Sequence, residues 1–150
     1  MVNPSPAPLH LLSITVLATP LALCRLAPTE AVPPWALSAR AFVTISRTPT
    51  ELSVVADDAV VPPEASGNRP YRALRLEGPF ALDLVGILAP LATVLADARV
   101  PILPIATYDT DYVLVRESAL SRALDALTRA GYTAVVEAAS RAHKGSIKQC

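Results

Sequence analysis

Residues 71–100 read YRALRLEGPFALDLVGILAPLATVLADARV, and this stretch contains a strand, a turn and a helix in succession. From Tyr71 to Glu77 apolar and charged residues alternate, which predicts a strand with one buried face. Gly78 and Pro79 then end that strand. Leucines at positions 84, 88, 91 and 95 recur at helical spacing and predict an amphipathic helix that begins near Gly86.

The next segment supplies two more strands. Ile102–Thr107 is apolar and β-branched, but it contains Pro104, which cannot donate a hydrogen bond to a neighbouring strand. We therefore expect this strand at an edge of the sheet. A turn over Tyr108–Thr110 leads into a further strand, Tyr112–Val115.

A second helix and a last strand complete the order. Ser118 is a candidate N-cap for a helix with an apolar face, and Gly131 is typical of a helix C-terminus. Thr133–Val136 then reads as a strand. The order from Tyr71 to Glu137 is β-α-β-β-α-β, which predicts an α+β chain with the ferredoxin-like arrangement of one antiparallel sheet and two helices.

The first half of the chain is rich in strands and poor in helix. Apolar or β-branched runs predict strands over Leu9–Leu17, Leu21–Leu26, Phe42–Ser46 and Leu52–Ala56. The polar, proline-rich segment from Asp57 to Pro70 is the best candidate for a linker. We therefore divide the chain into a tail (1–8), a strand-rich unit with a linker (9–69), a regular unit (70–138) and a second tail (139–150).

The charge balance, the apolar segments and the cysteines limit the classes of protein to which the chain can belong. Lysine plus arginine equals aspartate plus glutamate at 13 each, which argues against a nucleic-acid-binding surface. The apolar stretch from His10 to Ala27 follows no lysine or arginine and is too short to span a bilayer, so we expect no membrane partner and a cytoplasmic location. Cys24 and Cys150 read more simply as isolated thiols than as a disulfide.

Catalysis has little support in the sequence. Neither His10 nor His143 has a nucleophile or carboxylate that the sequence places beside it, and no phosphate-binding glycine loop occurs. The cysteines form no pair with metal-ligand spacing. We therefore predict a protein that is not an enzyme and that has no cofactor and no metal site.

Three segments carry a resemblance to a known family. Asp83–Ala89 (DLVGILA) resembles the ACT domain signature at the start of the first helix. Together with Phe42–Ser53 and Thr107–Val115, of which Thr107–Tyr112 (TYDTDY) is the most specific part, it is similar to small bacterial ACT proteins related to the arginine-sensing CASTOR proteins. The resemblance covers roughly residues 42–136.

The resemblance implies tandem ACT-like units, the first of them irregular, and an amino acid bound at an ACT–ACT interface. Because the chain supplies one regular unit, it also implies a homodimer that completes the site. The function that the resemblance implies is that of a regulatory sensor. The alternative is a ligand-free ACT-fold interaction module, and a third possibility is a small hydrolase or transferase. The ligand-contacting positions implied are Leu84, Gly86, Ile87, Thr107, Tyr108 and Asp111.

The chemistry of these residues is compatible with binding an amino acid. Free N–H groups and the positive dipole end of a helix N-terminus suit a carboxylate, and Gly86 lets a ligand approach the backbone. Asp111 suits an ammonium group. Structural roles remain open for several of these residues and their neighbours: Gly86 as a packing glycine, Asp83 as an N-terminal helix charge or cap, Tyr108 as an exposed turn aromatic or a partly buried anchor, and Asp109 and Asp111 as turn residues.

Overall fold

The computed structural model describes residues 12–65 and 67–139. Its regular elements are eight strands and two α-helices, joined by short 3₁₀ turns at Ala36–Ser38, Asp58–Val60 and Glu117–Ala119. In chain order they are β1 (Ser13–Val16), β2 (Leu21–Leu26), β3 (Val43–Arg47), β4 (Leu52–Asp57), β5 (Gly67–Leu76), α1 (Leu88–Asp97), β6 (Leu103–Ala106), β7 (Asp111–Arg116), α2 (Leu120–Arg129) and β8 (Thr133–Val136).

The predicted β-α-β-β-α-β order is confirmed from β5 to β8. β5 pairs antiparallel with β7, and β7 pairs antiparallel with β6. β6 has no second neighbour within the described part of the chain, so Pro104 lies in an edge strand as predicted. Both helices pack on one face of the sheet, where the main core contains fully buried side chains from strands and helices: Ile14, Val16, Leu74, Leu76, Leu91, Leu95, Val113 and Leu127.

β1 enters this sheet from the N-terminal half. It lies between β5 and β8, antiparallel to the first and parallel to the second. Ile14 and Val16 are fully buried in the helix-covered core, so every second side chain of β1 contributes to the core between β5 and β8. The element order alone did not anticipate this insertion.

The N-terminal half continues the same sheet in the order β3-β4-β2-β5. β5 is ten residues long; its first part pairs with β2, and its last part pairs with β1. It begins at Gly67, inside the segment whose composition is typical of a linker. A Cβ at Gly67 would lie 3.0 Å from the Cys24 sulfur, so the glycine allows β5 to approach β2 closely.

Asp57 anchors the edge strand β3. Its carboxylate, only 7% exposed, accepts hydrogen bonds from the backbone N–H groups of Arg40, Ala41 and Phe42 at 2.8, 3.0 and 2.9 Å. The Phe42 ring then packs edge-on against Tyr112, with ring centroids 4.9 Å apart. This contact joins the N-terminal strands to the face of the sheet that the helices leave open.

The helix ends show what local sequence does and does not determine. Gly131, with φ of 99°, ends α2 as predicted, and Tyr132 N–H donates to the Leu127 carbonyl across it. The prediction that Ser118 caps α2 is wrong. A 3₁₀ turn precedes α2, and the helix begins after Ala119 without a side-chain cap. Neither described helix is long and apolar enough to cross a membrane.

Candidate functional site

A pocket of about 190 Å³ lies where the loop between β5 and α1 meets the turn between β6 and β7. The volume is below the range of about 300–1,000 Å³ typical of pockets for drug-sized ligands, so it suits a small molecule. The described residues that line it are Phe80, Ala81, Leu82, Leu84, Ile87, Ala106, Thr107, Tyr108, Asp109, Thr110 and Asp111.

Five of the six positions singled out from sequence line this one pocket: Leu84, Ile87, Thr107, Tyr108 and Asp111. The sixth, Gly86, lies between two of them in the chain but does not line the pocket. Its φ of 82° is in the left-handed region that glycine adopts without strain. Gly86 therefore shapes the entry into α1 through its backbone.

The turn between β6 and β7 is held by the side chains of two threonines. Thr107 donates to the Thr110 carbonyl from both its backbone N–H, at 2.9 Å, and its hydroxyl, at 2.8 Å. The Thr110 hydroxyl donates to the Leu76 carbonyl at 2.6 Å, which ties the turn to the end of β5. Thr107 and Thr110 therefore fix the turn on which Tyr108 and Asp109 are carried.

The loop between β5 and α1 is fastened to the same turn. The Phe80 N–H donates to the Asp109 carbonyl at 2.8 Å. Gly78 makes this approach possible, because a Cβ there would lie 2.9 Å from the Asp109 oxygen and 3.3 Å from the Thr110 Cβ. Phe80 and Asp109 both line the pocket, so this contact joins its two sides.

Ile87, the residue directly before α1, lines the pocket. Ile87 is the N-cap residue and is 7% exposed, and no side chain in the described chain caps this helix end. Of the two structural roles open to Asp83, the cap is therefore wrong, since Ile87 follows it by four residues and occupies that position. Pro90, in the first turn, has no N–H to leave unpaired. The free N–H groups at this end belong to Leu88 and Ala89.

A second, more polar pocket of about 310 Å³ lies on the other side of the same turn. Arg75 and Glu77 line it and form an ion pair at 3.0 Å. Hydrogen bonds from Thr15 and then from Arg75 lower the pKa of the Glu77 carboxyl, and the bond to Glu77 raises the pKa of Arg75. The two charges satisfy each other, so this pocket is a poor anion site.

Sequence reasoning missed several lining residues. Phe80, Ala81 and Leu82 precede the helix in an irregular loop, where no periodicity indicates which side chains meet the turn. The available signal was the apolar run from Phe80 to Leu82, which is unusual for a loop. Three side chains around the pocket are well exposed: Leu82 at 74%, Val85 at 66% and Tyr108 at 80%.

Comparison with family models divides the chain close to the start of β5. A model of the ACT domain matches residues 66–129. A second model, which describes an N-terminal domain, matches residues 20–64. No curated protein matches the chain in sequence.

Solved structures extend the likeness to most of the chain. A protein from Agrobacterium tumefaciens is 30% identical, with a TM-score of 0.80, and the match covers 88% of this chain and 98% of that one. A Vibrio cholerae protein of unknown function, described as a possible transport protein, is 22% identical with a TM-score of 0.67 over 82% and 92% of the two chains. The regulatory subunit of aspartate kinase from Thermus flavus is 14% identical with a TM-score of 0.53 over 79% and 96%.

The last two likenesses show a shared fold, whereas the first, at 30% identity over nearly the whole Agrobacterium chain, shows common membership of a family. The ACT model covers the unit that carries α1, α2 and the pocket. The chain belongs to the same family as the Agrobacterium protein, and its residues 66–129 match the ACT domain.

Proposed function

We propose that this protein is a regulatory sensor, not an enzyme, that binds an amino acid at an interface between two ACT units. The ACT domain match supports a regulatory role, and so does the likeness in fold to the regulatory subunit of an aspartate kinase. A cytoplasmic location would place the sensor in contact with the free amino acids of the cell. The proposed ligand contacts are those implied by sequence: Leu84, Gly86, Ile87, Thr107, Tyr108 and Asp111.

One observation carries the proposal: Ile87, the N-cap residue of the uncapped helix α1, and Asp111 line the same pocket. The free N–H groups and the dipole of α1 suit the carboxylate of an amino acid. The half-buried carboxylate of Asp111 suits its ammonium group. A single free amino acid carries both groups, a few bonds apart.

A second copy of the chain would complete the site. The exposed apolar side chains of Leu82, Val85 and Tyr108 stand around the pocket, and covering them removes apolar surface from water. A homodimer that buries this rim would also shield the ligand's charges and strengthen their hydrogen bonds. Light scattering coupled to size-exclusion chromatography should give the mass of two chains, and a monomer with and without ligand would contradict this geometry.

A thermal-shift screen against the twenty amino acids tests the proposal. A ligand at about 100 times its Kd adds roughly 2.7 kcal/mol of stability, which shifts the Tm of a domain of this size by several degrees. We expect the shift to disappear in Asp111→Ala and to persist in Asp125→Ala, which removes an exposed carboxylate from α2, outside the pocket.

The alternative is a ligand-free ACT-fold module that only assembles with itself or with another protein. The exposed rim formed by Leu82, Val85 and Tyr108 is the observation that favours it. A dimer that shows no thermal shift with any amino acid would support this alternative and would refute the sensor.

A further inference from the structure

The edge strand β3 is open to pairing with another strand. It pairs with β4 in continuous register on one side and has no second neighbour among the described residues. Native sheets commonly protect such an edge with a proline, a bulge or a free charge. The edge strand β6 has Pro104, but Val43–Arg47 has no such protection, because the Arg47 guanidinium donates to the carbonyls of Pro28 and Glu30.

A hydrogen bond at the end of β3 shows which of its backbone groups face outward. The Thr48 N–H faces β4, since it donates to the Glu51 carbonyl at 2.9 Å. In an antiparallel pair, successive residues of a strand direct their N–H and C=O groups to alternate sides. The residues of β3 whose backbone groups face away from β4 are therefore Val43, Ile45 and Arg47.

This row of outward groups is complementary to a second copy of itself. An antiparallel pair of β3 strands centred on Ile45 sets the two copies of Ile45 opposite each other. It also sets Val43 of each copy opposite Arg47 of the other. Every outward-facing residue then lies opposite an outward-facing residue, so each pair exchanges both of its N–H···O bonds, as in the closely spaced pairs of an antiparallel ladder.

The side chains of β3 favour the same pairing. Val43 and Ile45 are 41% and 38% exposed, so the ladder removes apolar, β-branched side chains from water. Arg47 is the only charged residue of the strand, and it lies opposite Val43 instead of its own copy. The two arginines are four residues apart along the ladder, about 14 Å, which exceeds the screening length of about 8 Å at physiological ionic strength.

Two other strands have an open edge in the described part of the chain, and both fit a second copy less well. In β6 the Thr107 N–H faces β7, so Pro104 faces outward, where it has no N–H to donate. In β8 the Thr133 N–H faces β1, which leaves only Ala134 and Val136 facing outward in a strand of four residues.

We propose that two copies of this chain pair through their β3 strands, antiparallel and centred on Ile45, and so join their sheets into one. This contact uses neither the pocket nor the rim around it, and it does not depend on whether an amino acid binds. Either contact alone gives a dimer and both together give a tetramer, so molecular mass does not identify the contact. A site-specific test is needed.

Oxidative crosslinking of Ile45→Cys in the purified full chain supplies this test. Cys150→Ser removes the second native thiol, and Cys24 is buried at 1% exposure. Opposed residues of a closely spaced pair have Cα atoms about 5.5 Å apart, within the range of about 4.4–6.8 Å that a disulfide spans. We expect Ile45→Cys to form a disulfide-linked dimer on a non-reducing gel.

The matched control is Val43→Cys in the same background. Its side chain is as exposed as that of Ile45, but its two copies would lie about 14 Å apart in the ladder, too far for a disulfide. We expect about tenfold less linked dimer than in Ile45→Cys, since only random collisions link it. Neither substitution removes a core side chain, so both variants should fold.

Equal crosslinking of the two variants, or no crosslinking of Ile45→Cys, would overturn the proposal. A third variant, Val135→Cys, lies at the centre of β8 and is 55% exposed. Stronger crosslinking there than at Ile45→Cys would place the second copy on β8 and would also overturn it. None of these results bears on the pocket, which the thermal-shift screen tests separately.

Discussion

The carbonyl oxygen of Asp109 lies 2.9 Å from the point where a Cβ on Gly78 would stand. This distance is shorter than ordinary van der Waals contact, so only glycine at position 78 lets the loop before α1 reach the β6–β7 turn. The Phe80–Asp109 hydrogen bond, at 2.8 Å, depends on that approach. The shape of the pocket therefore depends on a residue that does not line it.

Substitution of Gly78 by alanine should separate the loop from the turn. We expect a loss of about 1–3 kcal/mol of unfolding free energy from overpacking, together with a weaker thermal shift by any amino acid that binds the unmodified chain. The matched control is Gly67→Ala at the start of β5, whose Cβ would lie 3.0 Å from the Cys24 sulfur on β2 and which does not line the pocket. It should lose stability and keep the ligand response; equal ligand responses in the two variants would contradict the role of Gly78.

Arg99 should be replaceable by glycine with a gain in stability. It has φ of 56° at the C-terminus of α1, a conformation that strains residues with a Cβ. We expect Arg99→Gly to raise the unfolding free energy by about 0.5–1 kcal/mol in urea denaturation. The converse change, Gly131→Ala at φ of 99°, should lower it. A loss of stability in Arg99→Gly would show that its side chain matters more than its backbone.

Removal of the Asp57 carboxylate should release β3. Asp57→Ala leaves three backbone N–H groups without their acceptor, and we expect a loss of about 3 kcal/mol in unfolding free energy. Asp57→Asn keeps one acceptor oxygen and should lose less. Hydrogen exchange should locate the effect, with faster exchange at Arg40, Ala41 and Phe42. Unchanged exchange at these amides would show that the carboxylate does not hold the segment.

Tyr132 should make the protein sensitive to alkali. Its hydroxyl is buried without a hydrogen-bond partner among the described residues, and burial raises the pKa of the phenol. The unfolded chain therefore loses this proton first, at about pH 10, so stability is complete below that pH and falls as pH rises toward the folded pKa.

Tyr132→Phe should remove this part of the alkaline loss and keep the core packed. Urea denaturation between about pH 8 and pH 11 measures it, in comparison with Tyr108→Phe, which removes a hydroxyl from a ring that is 80% exposed. The same alkaline slope in Tyr132→Phe and in the unmodified chain would assign the loss to other groups.

Periodicity in the sequence predicted the regular unit because each of its elements has a clear pattern. The alternation from Tyr71 to Glu77 and the leucines of α1 gave the right elements, and Pro104 gave the right edge. The insertion of β1 could not be predicted in this way, because the two strands that pair with it, β5 and β8, lie far away in the chain.

The residues that line the pocket also fall into two groups, those that local sequence predicts and those that it does not. Thr107, Tyr108 and Asp111 follow from a turn between two strands, whose geometry is local. Whether Phe80 and Leu82 line the pocket depends on how the irregular loop between β5 and α1 is held in place. That loop is held by the close approach of Gly78 to the Asp109 carbonyl, about thirty residues apart in the chain. A local reading of sequence has no access to such a contact.

The insertion of β1 also has a consequence for synthesis of the chain. The Ala18 N–H donates to the carboxylate of Glu137, 119 residues later, and β1 pairs throughout its length with β8. During translation β1 must therefore wait for the synthesis of β8 before its ladder is complete, and long-range pairing of this kind makes folding slow. A ribosome-bound chain stalled before Thr133 would lack β8 and leave the edge of β1 that pairs with it open to chaperones.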